Sequence, residues 1–254
     1  MAVKVKAQTI RKVSVRLIIL SAIIVFGSIA LITAFAVMAH FNSLRKTAAE
    51  NEQLRAIADD AENSDGYREN LSALDIEMLQ INPDYVFWIR IDGLGIDHPV
   101  VRGENNEKYL NISFYGERNI AGTLFMDYRI EGEIATYTAF ESLPHIIIYG
   151  HNAEQGGMFK DLHRLKNERF LDENKIITIT IHGQIVEFEI FSVRESDIYD
   201  PAYFLDFEAP RSFYGFANRI DAPMIATQIL TLSTCVSRGN DDERLIVQAY
   251  RLMD

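Results

Sequence analysis

Hydrophobic and polar positions along the chain change pattern three times. Residues 17–39 are an apolar run with no charged side chain. As a helix rising 1.5 Å per residue, such a run reaches about 34 Å, enough to cross a hydrocarbon core of about 30 Å. Lys4, Lys6, Arg11, Lys12 and Arg16 precede it with no acid among them. The positive-inside rule then puts the N-terminus in the cytoplasm and residues 40–254 outside, as a single-pass type II membrane protein. A cleaved signal peptide is the alternative. Ala34-Phe35-Ala36 and Met38-Ala39 offer small residues for cleavage, but the run exceeds the usual apolar core of about 7–15 residues.

Residues 40–81 are polar and helix-prone, which reads as a stalk divided at Ser64-Asp65-Gly66. Beyond the division Tyr67, Leu71, Leu74 and Met78 recur at helical spacing, an apolar face that can dock on a following domain, and Asn82-Pro83 ends the helix. After Pro83 short apolar runs alternate with turn residues. Strands are expected at 86–91, 122–126, 145–149, 176–181, 184–193, 228–233 and 245–252. Ile177, Ile179 and Ile181 alternate with threonines, and Val186, Phe188 and Ile190 resume the alternation beyond His182-Gly183, which predicts a hairpin. Phe213, Phe216, Ala217 and Ile220 predict one late helix. Strands without regular intervening helices favour a mainly β barrel or sandwich over a doubly wound sheet. The expected domains are a cytoplasmic tail at 1–16, a transmembrane anchor at 17–39, the stalk and N-terminal helices at 40–81, and the β domain at 82–254.

Composition agrees with a folded chain: 254 residues are 48% hydrophobic and 24% charged, with 15 Phe and 11 Tyr for a core. The net charge of −11 divides into +5 on the tail and −16 on the remainder, which excludes nucleic acid as the main partner. Cys235 is the one cysteine, so an internal disulfide and a multi-cysteine zinc site are both excluded.

A lone cysteine is commonly a small buried hydrophobe. Cys235 instead ends the run Thr231-Leu232-Ser233-Thr234, where a strand delivers its last residue to a sheet rim before a polar loop at 236–243, a position suited to a nucleophile. A base and an oxyanion stabiliser must accompany it. His40 and His98 read as solvated loop residues, His145 opens a strand, His163 lies on a helix and His182 in a hairpin turn. His151 leaves the strand Ile146-Ile147-Ile148-Tyr149 at its C-terminal end, as Cys235 leaves its own, so two such strands can bring imidazole and thiol to one rim. Arg244 opens the strand that follows the loop after Cys235 and can return beside the thiol; the alternative is a surface arginine paired with Asp241, Asp242 or Glu243.

Thr231-Leu232-Ser233-Thr234-Cys235 resembles the TLxTC signature of sortases, the exported cysteine transpeptidases of Gram-positive bacteria. Tyr149-Gly150-His151-Asn152 and Glu243-Arg244-Leu245 match the family's other two catalytic positions in type and order. Asn82-Pro83-Asp84-Tyr85-Val86-Phe87-Trp88, Asp97-His98-Pro99-Val100-Val101, Asn106-Glu107-Lys108-Tyr109-Leu110, Gly122-Thr123-Leu124-Phe125-Met126-Asp127-Tyr128-Arg129 and Gly157-Met158-Phe159 resemble class B in particular. The resemblance implies an eight-stranded β-barrel with an N-terminal helical segment and a helix before the cysteine strand. It further implies that Cys235 attacks the threonyl carbonyl of a C-terminal sorting signal of NPxTN or SPxTG type, that His151 moves the protons, and that Arg244 holds the oxyanion, without metal or cofactor. The implied partners are surface proteins bearing the signal and an amino group of peptidoglycan or lipid II. By the same resemblance Asn106, Leu110, Tyr149, Ser233 and Thr234 contact substrate, and Tyr203 with Phe204 lines the specificity wall. Some class B relatives carry an acid after the cysteine; Val236 stands there in this chain. The acidic exported part suggests a lysine-containing signal such as NPKTN or SPKTG. Two other functions share these features: an exported cysteine hydrolase, and a catalytically silent membrane-tethered binding protein.

Overall fold

Eight short strands close on one another in the computed structural model. It describes the backbone of residues 2–62, 71–130, 134, 136–152, 158–207, 210–237 and 240–253, and the side chains of these except 2–19, 62, 210, 235–237, 240 and 241. The strands are β1 (Tyr85–Ile91), β2 (Ile96–Val101), β3 (Leu124–Met126), β4 (His145–Tyr149), β5 (Ile176–Ile181), β6 (Gln184–Asp197), β7 (Ile229–Ser237) and β8 (Asn240–Arg251). Around the barrel they run β1-β2-β3-β4-β7-β8-β6-β5, with β5 closing on β1. Full closure leaves no exposed sheet edge.

Alternation decides what fills the interior, since successive side chains of a strand face opposite ways. Ile177, Ile179 and Ile181 of β5, Val186 and Phe188 of β6, and Leu230 and Leu232 of β7 meet in one buried cluster with Phe87, Ile89, Leu124, Ile146, Ile148 and Val247. The β5–β6 hairpin turns on His182 and Gly183, both at positive φ, between the paired Ile181 and Gln184.

Two of the expected boundaries are corrected. His98 lies in β2 as a buried residue and not in a solvated loop. Pro99 and the charged Asp97 hide the alternation there, yet Val100 and Val101 are fully buried and pair onward with β3. The polar stretch 236–243 is mostly strand: β7 continues to Ser237 and β8 begins at Asn240, held by backbone pairing rather than by apolar side chains.

Outside the barrel, helix α1 (Ala2–Glu62) is a single 61-residue element. Up to Lys46 it forms a unit of its own, with an 18-residue window of mean hydropathy 2.5 and exposed apolar side chains such as Leu31 and Phe35. From Thr47 onward it belongs with the barrel. There Leu54 and Ala58 are buried together with Trp88, Phe114 and the helix α2 (Ala73–Ile81), which contributes Leu74 and Met78. Ser72 and Asp75 cap α2 reciprocally, and Asn82 ends it as expected. The expected division at 64–66 and Tyr67 lie outside the described residues. The shorter helices are α3 (Tyr137–Glu141), α4 (Glu168–Glu173) and α5 (Pro210–Arg219), which buries Phe213 and Phe216 ahead of β7.

Candidate active site

The barrel topology makes neighbours of two strands that stand far apart in sequence. β4 and β7 pair in parallel, with Tyr149 opposite Ser233, and Gly150 N–H donates to the Ser233 carbonyl at 3.2 Å. The two strands run in the same direction, so His151, two residues past Tyr149 and just beyond the end of β4, follows the same course as Cys235, two past Ser233 and still within β7. On the other side of β7, Cys235 stands directly opposite Arg244 of β8, beside a register irregularity between Cys235 and Ser237. Gly150 is required where β4 leaves the sheet: a Cβ there would strike Leu124 and the Phe159 ring.

A cleft of about 370 Å³ opens at this rim. Asn106 and Leu110 border it before β3; Tyr149 and His151 line it at the end of β4, Ser233 and Thr234 on β7, Tyr203 before α5, and Arg244 on β8. These are the expected site residues whose side chains are described, and one cleft holds them all. Phe204 lies instead in an adjoining groove. His151 Nε2 donates to the Leu110 carbonyl at 2.7 Å. A carbonyl only accepts, so that nitrogen carries a proton and Nδ1 is the ring position left to exchange one. Arg244 is half-buried and donates from Nη1 to the Glu243 carbonyl at 3.2 Å.

One wall of the cleft is aromatic. Tyr149 and Tyr203 stack with 8° between their planes and centroids 6.3 Å apart, and the Tyr203 hydroxyl shares a 2.8 Å hydrogen bond with Ser233. The Tyr149 hydroxyl donates at 2.8 Å to Asp127, a fully buried carboxylate that Arg129 grips with Nε at 2.9 Å and Nη2 at 2.7 Å. Burial alone would raise the Asp127 pKa, but the Arg129 contacts and the Tyr149 hydrogen bond hold it below the ordinary carboxylate range. Burial and the Asp127 charge push the Tyr149 phenol upward, so it remains a donor.

Sequence reasoning assigned no role to Asp127, Arg129, Phe125 or Ile198. Phe125, Arg129 and Ile198 line the cleft, and Asp127 anchors its wall. The available signal was an Asp and an Arg two residues apart directly after a strand, inside a stretch already singled out. Among the described residues of the lining, Arg129 and Arg244 are the charged ones. Among the described residues no group of three or more His, Cys, Asp or Glu could hold a metal ion.

A sortase domain model matches residues 89–252, which include both walls of this cleft. The chain belongs to the sortase family. Its curated relatives include sortase B of Staphylococcus aureus and sortase B of Listeria monocytogenes, each 28% identical over 184 residues and covering 68% of this chain and 72% and 71% of theirs. Among solved structures, sortase B of Clostridium perfringens is 29% identical with a TM-score of 0.61, covering 70% of this chain and 99% of that one. Sortase B of B. anthracis, at 24% identity, shares the fold with a TM-score of 0.72 over 84% of this chain and 100% of that one. This sortase is accordingly a cysteine transpeptidase of the sortase B type, built on a mainly β closed barrel with helices outside it.

Proposed function

We propose that this sortase cleaves an NPxTN or SPxTG sorting signal after its threonine and joins the new C-terminus to an amino group of peptidoglycan or lipid II. The observation that carries the reading is the strand pairing: parallel β4 and β7 set Tyr149 opposite Ser233, two residues before His151 and Cys235 respectively, and β8 sets Arg244 opposite Cys235. In the first half-reaction the Cys235 thiol gives its proton to His151 Nδ1, and the thiolate attacks the threonyl carbonyl. Arg244 donates to the tetrahedral oxyanion, which its permanently charged planar fork suits. Collapse breaks the peptide bond as His151 returns the proton to the leaving amine, leaving a thioester. In the second half His151 takes a proton from the incoming amine, which attacks the thioester; the thiol is regenerated and one amide has replaced another. Asn106, Leu110, Tyr149, Ser233, Thr234 and Tyr203 would contact the signal.

Residues 1–16 would be a cytoplasmic tail, 17–39 a type II anchor and 40–81 a helical stalk, with 82–254 outside the cell. The exposed apolar side chains of α1 from Leu20 to Phe41 support the anchor. The deciding experiment incubates the full chain in detergent with NPxTN, SPxTG and LPxTG peptides, with and without an amine acceptor, and reads products and enzyme by mass spectrometry. An acyl adduct on Cys235 that disappears into an amide product when amine is added is expected. Amine-independent hydrolysis without transfer would point to a hydrolase, and no adduct at all to a silent binding protein. Arg244→Lys keeps a charge but loses the fork, and is expected to lower kcat about 10²-fold, as removal of an oxyanion donor does.

A further inference from the structure

The reaction cleft is one of two depressions that meet at Arg129 and Tyr203. The other, of about 560 Å³, is the larger, and Ile130, Leu143, Pro144, Leu205 and Phe207 form its walls. Both follow the outer face of β4. Ile146 and Ile148 point into the barrel core, leaving His145 and Tyr149 outside; His145 lines the second groove, Tyr149 and His151 the cleft. Tyr203, hydrogen-bonded to Ser233, is the saddle between them.

Length decides what the second groove can hold. From His151 back to His145 the chain retreats six residues, roughly 20 Å at about 3.3 Å each. The acyl half of a five-residue sorting motif has four residues and reaches at most about 14 Å. A peptide with its threonyl carbonyl at the rim and its chain lying along β4 therefore runs out of motif before the path ends. About two further residues upstream overlie the second groove. Leu143, Pro144, Leu205 and Phe207 give it half-buried apolar wall residues, and Arg129 and Asp206 are the charged side chains on its lining. His145 offers nothing polar, because Nδ1 donates to the Phe204 carbonyl and Nε2 pairs with the Thr231 hydroxyl, each at 2.8 Å.

We propose that this groove binds the two residues immediately upstream of the sorting motif, taking at least one apolar side chain against Leu143, Leu205 and Phe207. The inference rests on the reading that Cys235 attacks the motif's threonyl carbonyl at the rim. Specificity would then extend beyond the motif into the polypeptide that carries it.

Three fluorescent peptides test it: the motif alone, the motif with Leu-Leu added upstream, and the motif with Leu-Leu added downstream. Their affinities for full-length Cys235→Ala protein are measured by anisotropy, and their turnover by the wild type. Burial of one leucine side chain corresponds to roughly tenfold tighter binding, expected for the upstream extension only. Leu205→Asp should erase that difference and Leu205→Met should keep it. Equal binding of all three peptides, or an upstream preference that survives Leu205→Asp, overturns the groove even if the wild type turns every peptide over. An upstream preference in binding without any turnover overturns the reaction and leaves the groove supported.

Discussion

Asp127 has no direct place in the proposed chemistry, yet its contacts lead to the cleft. Its carboxylate holds the Tyr149 hydroxyl and the Arg129 fork, and Arg129 Nη2 reaches the Tyr203 carbonyl at 3.4 Å. The two stacked tyrosines are thus fixed from beneath by one buried anion. Hydrogen bonds to a buried charge are worth about 1.5–3 kcal/mol, so losing the charge should let the aromatic wall relax. Asp127→Asn is expected to raise KM for the sorting peptide about tenfold while leaving the rate of Cys235 alkylation by iodoacetamide unchanged. Tyr149→Phe cuts only the Tyr149–Asp127 link and should raise KM by less, and the double variant should be no worse than Asp127→Asn alone, which already loses that link. A variant that melts earlier but binds peptide with unaltered KM would make Asp127 a purely structural ion pair.

At the scale of elements, legibility followed alternation. β5 and β6 were readable because isoleucines alternate with threonines and the tight turn is explicit, and α5 because its phenylalanines fall on one helical face. β2 was not, since Asp97 is charged and Pro99 carries no backbone donor, although Asp97 accepts from Trp88 Nε1 at 2.6 Å and from Arg90 Nε at 3.1 Å. The ends of β7 and β8 escaped for the same reason: backbone pairing extends where side chains give no apolar signal. The rim could be argued from two strand ends, but the Tyr149–Asp127–Arg129 wall could not. Its parts acquire meaning only once β3 lies beside β4. Helix docking was half legible, from Leu74 and Met78, while the partner surface on α1 around Leu54 and Ala58 was invisible until the fold joined them. Leu54→Ala and Met78→Ala should each cost about 2–5 kcal/mol of stability, as cavity-forming core substitutions do. Trp88 is the one tryptophan and packs in that cluster, so its fluorescence during urea unfolding reports the loss directly. A loss below 1 kcal/mol, on the order of a surface substitution, would mean that α1 and α2 do not pack tightly there in solution.

For the molecule as a whole, a pH-sensitive cost of folding just below neutrality lies in two buried histidines. His98 on β2 and His145 at the start of β4 are each pushed down to about 4 from 6.5, principally by burial. Arg55 pushes His98 further down and Asp97 acts against it; at His145 the Phe204 carbonyl and Asp127 oppose the shift and Arg129 reinforces it. Their folded-state pKa lies below the unfolded one, so between pH 6.5 and 4 the unfolded chain binds more protons and stability falls as pH falls. Each histidine contributes a slope of up to about 1.4 kcal/mol per pH unit in that window, and none above it. The carboxylates held low, Asp127, Asp200 and Glu189 among them, lose their contributions only in more acid solution, so the histidines dominate the upper part of the range. Unfolding free energy measured from pH 8 to 5 should therefore be flat above about pH 7 and then drop. His145→Gln keeps a donor and an acceptor for the Phe204 carbonyl and Thr231, and should remove about half of the slope while lowering stability at pH 8. An unchanged slope in that variant would mean that His145 takes up its proton inside the folded barrel.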